Sequence, residues 1–347
     1  MSCIASRKEV ADLAGVSEAT VSRVLNGVGP IKEETRQKVQ EAARSLGYVP
    51  SALAQSFARK RSGNLGVVLP YVPKVHMFST YFFSEVLSGI GSKAREMGYD
   101  LLMLFRAPDE VMDYERLFHM QKVDACVILG SRDIPGEREA LRQLAVSRRP
   151  FCLINQHYEG EAFNEIDAAH VEGSYEAVRH LLDQGHRRIA FLNGPQEYSN
   201  SGERLEGYRR ALASEGIVME ERLLLTGNFS RTSGRAAAVA LLPMLDTVDA
   251  VFAANDRMAI GLLQGLREQG VTPARLPAIV GYDDSDAARV TEPALSSVQV
   301  PFYDMGELAA SKVLERTEEE GAAEPFRLLL PTRLVLRASS VPGGAAE

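Results

Sequence analysis

EVADLAGVSEATVSRVLNG, residues 9–27, reads as two short helices around a three-residue turn. Just upstream, Ser6 and Glu9 have the spacing of a capping box, in which each side chain satisfies a free backbone N–H at a helix start. Val10, Ala11, Leu13 and Ala14 then supply an apolar face. Gly15-Val16-Ser17 is the turn: glycine tolerates positive φ, Val16 plugs a small core, and Ser17 caps the next helix. That helix spans Glu18 to Leu25, with Val21 and Leu25 facing inward at i and i+4, and Asn26-Gly27 ends it. A third helix is predicted from Lys32 to Leu46, with Thr35-Arg36 near its start and Gly47 just past its end.

Two helices on a glycine-containing turn make a helix-turn-helix, whose second helix enters the major groove of DNA. The side chains available there are Glu18, Ala19, Thr20, Ser22 and Arg23. Arg23 can fork onto guanine, Glu18 can accept from cytosine N4, and Ala19 can touch a thymine methyl. Ser17, Thr20, Ser22, Asn26 and Lys32 suit phosphates, which position without specifying.

The charge supports this division. The 347-residue chain has net charge −7. Residues 1–62 hold 10 Lys and Arg against 6 Asp and Glu, a net +4, and the remainder is −11. A basic head on an acidic body is the asymmetry expected when one end meets phosphates. Composition is that of a globular protein, 45% hydrophobic and 24% charged, with length for two or three domains. No apolar run is long enough for a membrane span, and no signal-like stretch opens the chain, so a cytoplasmic location is expected. Cys3, Cys126 and Cys152 are too few and too scattered for a disulfide framework or a zinc site. The six histidines show no metal spacing, and no metal or cofactor is expected.

The pieces VA-x-x-AGVS, TVSRVLN, TR-x-KV-x-x-A and LGY-x-P together resemble, almost position by position, the DNA-binding head of the lactose-repressor (LacI/GalR) family. After Pro50, SALAQSFARKRSGN is helix-competent but too short to be stable alone, and it carries the basic cluster Arg59-Lys60-Arg61. The resemblance implies a hinge that folds on DNA and wedges an apolar side chain into the minor groove. The family usually has leucine there, and this chain has Phe57. A plain flexible linker is the other reading of the segment.

From Leu65 onward, apolar strands alternate with helices. The strands are predicted at Leu65–Pro70, Leu101–Phe105, Ala125–Leu129, Phe151–Asn155, Arg188–Leu192, Ala250–Ala253 and Ala278–Tyr282. The helices are predicted at Phe83–Met97, Arg138–Ser147, Gly173–Gln184, Glu203–Glu215, Ser233–Leu242, Met258–Gln269 and Asp304–Arg316. Such alternation predicts an α/β body with parallel sheets. LGVVLP, FFSEVLSGI, HLLDQGHRRIAFLNGP, RLEGYRRAL, VFAANDRMAIGLL, IVGYDDSDAARVTEPALSSV and LLLPTRLVLRASS also resemble the family. The likeness implies an all-α helix-turn-helix head on a periplasmic-binding-protein type-1 body of two lobes, with a ligand cleft between them. Expected boundaries are 1–50 for the head, 51–63 for the hinge, 64–167 plus 302–331 for one lobe, and 168–301 plus 332–347 for the other. Crossovers are expected near Asp167, Pro301 and Pro331.

Ligands of open α/β sheets sit beyond the carboxyl ends of strands. Asp283 follows such a strand and can accept two bonds from adjacent hydroxyls, although Asp283-Asp284-Ser285 is also good turn chemistry. Arg204 matches the family's ligand-binding arginine. It can donate bidentately, or instead pair with Glu203 or Glu206 on the surface. Asn255 either contacts ligand or caps the helix beginning near Met258. Phe82, Phe83, Phe229 and Phe302 stand where relatives line the cleft, and each is either a stacking platform or core. Tyr198, Asn200 and Asn155 add donors and acceptors. YVPKVHMFSTYFF, residues 71–83, departs from the shorter family loop and includes His76.

The resemblance implies a homodimeric repressor released from a palindromic operator by a small sugar. A purine co-repressor and a switching partner protein, as in catabolite-control relatives, remain alternatives. A solute-binding protein would need a secretory signal in place of the DNA head. An enzyme is disfavoured, because no GxGxxG after the first strand, GxxxxGK[ST], HExxH or GxSxG is present. No heptad-repeat tail follows SSVPGGAAE, so tail-mediated tetramers are not expected. Arg23→Ala should relax specificity at one base pair by roughly 1–3 kcal/mol, measured by competition between operator variants. An equal loss on all DNA sequences would remove Arg23 from base recognition.

Overall fold

The structure is a computed structural model that describes residues 5–27, 29–49, 61–71, 77–107, 110–317 and 324–341. The Phe57 wedge, Arg59, Lys60 and His76 lie outside the described residues.

In the head, α1 (Arg7–Ala14), α2 (Glu18–Asn26) and α3 (Glu33–Ser45) enclose a small core of Val10, Ala11, Val21, Val24, Val39, Ala42 and Ala43. The capping box forms: Ser6 N donates to Glu9 Oε2 at 2.6 Å, and Glu9 N donates to Ser6 Oγ at 3.3 Å. Ser17 Oγ accepts from Thr20 N at 3.2 Å. Gly15 and Gly27, at φ 64° and 68°, end the first two helices in the left-handed region. Two expectations change. Leu13 is 59% exposed, because α1 packs along Val10, Ala11 and Ala14 and leaves Leu13 on the flank. Val24, one turn beyond Val21, is buried more deeply than Leu25.

The body runs β1 (Asn64–Pro70), α4 (Tyr81–Glu96), β2 (Asp100–Arg106), α5 (Tyr114–His119), β3 (Ala125–Leu129), α6 (Pro135–Val146), β4 (Phe151–Ile154) and β5 (Glu165–Ala168). It continues α7 (His170–Asp183), β6 (Ile189–Asn193), α8 (Ser199–Ser214), β7 (Leu224–Thr226), α9 (Arg231–Leu241), β8 (Ala250–Ala253), α10 (Asp256–Glu268), β9 (Ala278–Asp283), α11 (Asp286–Arg289) and β10 (Ser296–Gln299). It ends with α12 (Phe302–Glu315), β11 (Arg327–Leu330) and β12 (Arg333–Val335).

Two six-stranded sheets result. The first has order β11-β5-β4-β3-β1-β2 and is all parallel. The second has order β12-β10-β9-β8-β6-β7 and is parallel except for β12, which pairs antiparallel with β10. The chain passes between the sheets three times: between β5 and α7, between β10 and α12, and between β11 and β12. The central strands β3, β4 and β8 are buried at every position, as strands covered on both faces must be. Strands β5, β7, β10, β11 and β12 escape sequence reading. They are three or four residues long, and EIDA, SSVQ and RLV lack an apolar run.

Behind the first sheet lies a buried ion pair. Arg106, at the end of β2, meets Glu137 of α6, and the side chains are 6% and 1% exposed. Glu137 Oε1 also accepts from Tyr114 Oη at 2.7 Å and Ser131 Oγ at 2.9 Å, while Arg106 Nη2 donates to Gly130 O at 3.2 Å. Such a pair is costly to break from one side only. Arg106→Met should destabilise the body by roughly 3–5 kcal/mol in urea unfolding, and adding Glu137→Leu should recover most of that. A loss under about 1 kcal/mol would show the pair to be solvated.

Candidate DNA-reading surface and ligand cleft

On α2, Ser17, Glu18, Ala19 and Arg23 are exposed, and Thr20 and Ser22 are half-buried. Arg23 engages no described residue and projects freely. Glu18 accepts from Arg7 Nε at 3.0 Å, which ties the reading helix to α1. Ser17 and Thr20 join their hydroxyls at 3.0 Å. Asn26 is only 9% exposed and donates to Ser22 Oγ at 3.2 Å, so it faces inward and not toward a phosphate. Lys32 is exposed.

The carboxyl ends of the strands of the second sheet carry the second group. Arg204, on α8, is 3% exposed. It makes no ion pair with Glu203 or Glu206. Its guanidinium donates from Nη1 to Ala254 O at 2.9 Å and stacks over the Tyr282 ring, 4.2 Å from the centroid. Its Nε has no described partner. Asp283 ends β9 with φ at 108°, is 8% exposed, and receives no hydrogen bond from any described residue. Burial, with the charge of Asp256, holds its carboxyl well above the usual carboxylate range, and Arg204 and Arg257 oppose the shift. Asp256 is itself satisfied by Ser285 N, Ser285 Oγ and Ser297 Oγ at 2.7, 2.8 and 2.6 Å. Asn255 caps α10: its Oδ1 accepts from Met258 N at 2.9 Å, and its Nδ2 donates to Phe229 O at 3.1 Å.

Phe229 has φ at 62° and lies edge-on to Tyr198, with ring centroids 5.7 Å apart. Its ring covers Gly194 so closely that a Cβ there would overlap it. Among the described residues six non-glycine residues have positive φ, and four of them, Asn155, Phe229, Asp283 and Asp284, cluster around the cleft. Backbone strain of order 1–3 kcal/mol per residue persists where the fold over-determines it and marks functional surfaces.

Across the cleft, Phe82 and Phe83 are half-buried with ring centroids 4.8 Å apart. Phe302 is only 2% exposed and lies edge-on to Phe82 at 5.0 Å, so it backs the wall without presenting a face. Arg257 Nη1 reaches Thr80 Oγ1 at 3.4 Å between the lobes. A cavity of about 490 Å³ is lined by Asp133, Pro195, Gln196, Glu197, Thr226 and Gly227.

Asn155 and Asn200 meet at the crossing between the lobes. Asn200 Nδ2 donates to Asn155 O at 3.0 Å, and Asn155 Oδ1 meets His170 Nε2 at 2.6 Å. Ser199 N donates to Gln156 Oε1 and His157 N donates to Ser199 Oγ, both at 3.0 Å. Sequence reading missed His170, Gln156, His157, Asp167 and Tyr282. Tyr282 is the aromatic floor under Arg204, and its hydroxyl meets His170 Nδ1 at 3.1 Å. It stood inside a quoted motif and read as an ordinary strand residue. Burial lowers the His170 imidazole below its usual value.

A helix-turn-helix reader joined to two parallel-sheet lobes with a polar, aromatic-walled cleft between them is the architecture of a ligand-responsive DNA-binding regulator. The comparisons give the family. Residues 7–51 match the bacterial regulatory proteins of the lacI family, and residues 178–340 match the periplasmic binding protein-like domain. The chain is 35% identical over 337 residues to the HTH-type transcriptional regulator CelR of Thermobifida fusca, covering 95% of this chain and 96% of CelR. It is 34% identical over 300 residues to AscG of Escherichia coli (strain K12), covering 86% and 87%. Among solved structures, a transcriptional regulator CelR–cellobiose complex superposes with TM-score 0.73 at 32% identity, covering 97% of this chain and all of that one. The lac repressor dimer bound to operator and the anti-inducer ONPF superposes with TM-score 0.82 at 26% identity, covering 98% and 100%. This chain belongs to the lacI family: it is a DNA-binding transcription regulator and not an enzyme. Among the described residues no helix is long and apolar enough to cross a membrane.

The contact between Gly194 and Phe229 generates a paired prediction. Gly194→Ala should force the ring aside and cost roughly 1–3 kcal/mol in urea unfolding. Gly202→Ala, on exposed α8 backbone with nothing within 4 Å of the added carbon, should gain about 0.5–1 kcal/mol of helix propensity. Equal effects would show that the Phe229 ring is loosely held.

Proposed function

We propose that this regulator is a cytoplasmic repressor of carbohydrate-metabolism genes that binds a palindromic operator as a homodimer and is released by a small sugar in the interlobe cleft. The carrying observation is that Asp283 and Arg204 are both buried and feel one another's charge without forming an ion pair. The Asp283 carboxyl receives no hydrogen bond from a described residue, and the Arg204 Nε has no described partner. Neighbouring sugar hydroxyls answer both at once, donating to the carboxylate and accepting from the guanidinium. Phe229, Tyr198, Phe82 and Phe83 supply aromatic faces suited to a pyranose ring. Asn255, Asn155, Asn200 and Phe302 act one step back, fixing the loops and wall that hold those groups. Similarity to a regulator solved with cellobiose supports a glucoside as the first ligand to try.

The lobes divide at the three crossings, near Asp167, Pro301 and Pro331, into 64–167 plus 302–331 and 168–301 plus 332–347, following the head at 1–50 and the hinge at 51–63. Dimerisation is supported by edge strand β2, where Leu101 and Phe105 are 37% and 48% exposed on one face. On DNA, Ser17, Thr20, Ser22 and Lys32 hold phosphates while Glu18, Ala19 and Arg23 read bases, with Asn26 bracing the helix end and Phe57 wedging the operator centre. Sugar binding changes lobe orientation and so the spacing of the paired hinges, with reciprocal coupling between sugar and operator affinity.

Operators selected from random DNA by the purified protein test this, followed by titration of the winning site at fixed salt with glucosides, other sugars and purines. A palindrome released by a sugar is expected. Asp283→Ala should abolish that release and leave operator affinity within about twofold, well inside the tenfold that 1.4 kcal/mol represents. Tightening by a purine, or indifference to every sugar, would overturn the sugar reading, and a single half-site as the winner would overturn the dimer.

A further inference from the structure

Away from Arg204 and Asp283, three side chains from different segments converge at the crossing between the lobes. His157 follows β4, Asp167 lies in β5 just before the first crossing, and Glu203 is on α8 of the other lobe. One ligand atom from each, an imidazole nitrogen and two carboxylate oxygens, lie within 4.8 Å of one another. His157 Nδ1 is 3.5 Å from Asp167 Oδ2 and 3.5 Å from Glu203 Oε1. His157 Nδ1, Asp167 Oδ2 and Glu203 Oε2 are buried and have no hydrogen-bond partner among the described residues.

Asp167 is the most telling of the three. It is fully buried, and its Oδ1 is already engaged by Ala168 N at 2.9 Å and by His170 Nε2 at 3.3 Å. Its Oδ2 therefore presents a charged lone pair, out of water, to a space ringed by further acceptors. Orphaned buried polar atoms cost about 1–3 kcal/mol each, and more when charged. Arg327 offsets only the outer edge: its Nη2 is 3.3 Å from Glu203 Oε1 and its Nε 3.6 Å from Glu165 Oε2, and it bonds neither Asp167 nor His157. At 3.5 Å from each carboxyl, His157 Nδ1 makes a hydrogen bond to neither.

We propose that His157, Asp167 and Glu203 bind a single divalent transition-metal cation, with zinc the best match to one imidazole and two carboxylates. Imidazole with carboxylate suits zinc and its neighbours and disfavours calcium and magnesium, which prefer all-oxygen shells. Ligands about 2.0–2.1 Å from a tetrahedral ion stand roughly 3.3 Å apart, so the two 3.5 Å separations from His157 Nδ1 need only small adjustment, and all three ligand atoms already lie within 4.8 Å of one another. Ala168 N–H and His170 hold Asp167 in orientation, as outer partners of a metal ligand do. Because Glu203 comes from one lobe and His157 and Asp167 from the other side of the crossing, the ion fastens the lobes in this orientation. Its occupancy is thereby linked to whatever the lobe angle controls.

The test uses the full-length protein, stripped with EDTA and dialysed. It is titrated with ZnCl2 against a chromogenic chelator and separately loaded with Co²⁺ for its visible spectrum. One zinc per chain with a Kd below the micromolar range is expected, with a thermal midpoint that rises with zinc. His157→Ala and Glu203→Gln should weaken binding at least tenfold, the lower end of what loss of even an outer partner costs, and His157→Ala should abolish the cobalt spectrum. Cys3→Ser should change neither. Absence of tight zinc binding, binding unmoved by both variants, or binding lost with Cys3→Ser would overturn the site. The wild-type stoichiometry and cobalt spectrum decide the matter even where a variant fails to fold.

Discussion

Arg204 carries a full charge into the wall of the cleft without a carboxylate bonded to it. A guanidinium 97% removed from solvent is tolerable only because several weaker partners share the charge. The Ala254 carbonyl takes one N–H, the Tyr282 ring takes one face, and Asp283 and Phe229 complete the surroundings. The partners come from the end of β8, the end of β9 and the Phe229 loop, so the charge holds β8, β9 and α8 in mutual register. It also leaves the Arg204 Nε without a partner among the described residues.

Asp283 shows the same economy. Its neighbour Asp256 collects three donors, while Asp283 receives none and sits on strained backbone. Two neighbouring carboxyl groups sit in different environments: Asp256 closes the structure around Ser285 and Ser297, and the Asp283 carboxyl receives no hydrogen bond from a described residue. Phe229 and Asn155 repeat the pattern on the facing loops, with left-handed backbone that only a surrounding fold can impose.

The crossing between the lobes is held by polar contacts. The Asn155 carbonyl, the Gln156 side chain and the His157 backbone N–H engage α8 on one side of the cleft, and Arg257 reaches Thr80 on the other. These are short polar contacts beside a buried apolar cluster that draws residues from both lobes. The buried charges around Asp167 make this region sensitive to whatever cation or proton occupies it.

Much was legible in the sequence because its signals are local. The caps at Ser6 and Ser17, the glycines at 15 and 27, and the apolar spacing of Val10, Val21 and Val39 define the head within some forty residues of chain. Continuous apolar runs such as ACVIL and AVFA declare strands buried on both faces. What sequence could not reveal depends on chain distance. Strand β5 is polar because it ends at a crossing, β10 carries Ser297 because Asp256 waits above it and Ser296 because the Arg337 carbonyl accepts from it, and Tyr282 looks like core until Arg204 arrives over its ring. Tertiary structure alone decided that His157, Asp167 and Glu203 meet. Residues up to 46 positions apart acquire a joint chemistry only when the chain has crossed between lobes and excluded the water that would otherwise have satisfied each separately.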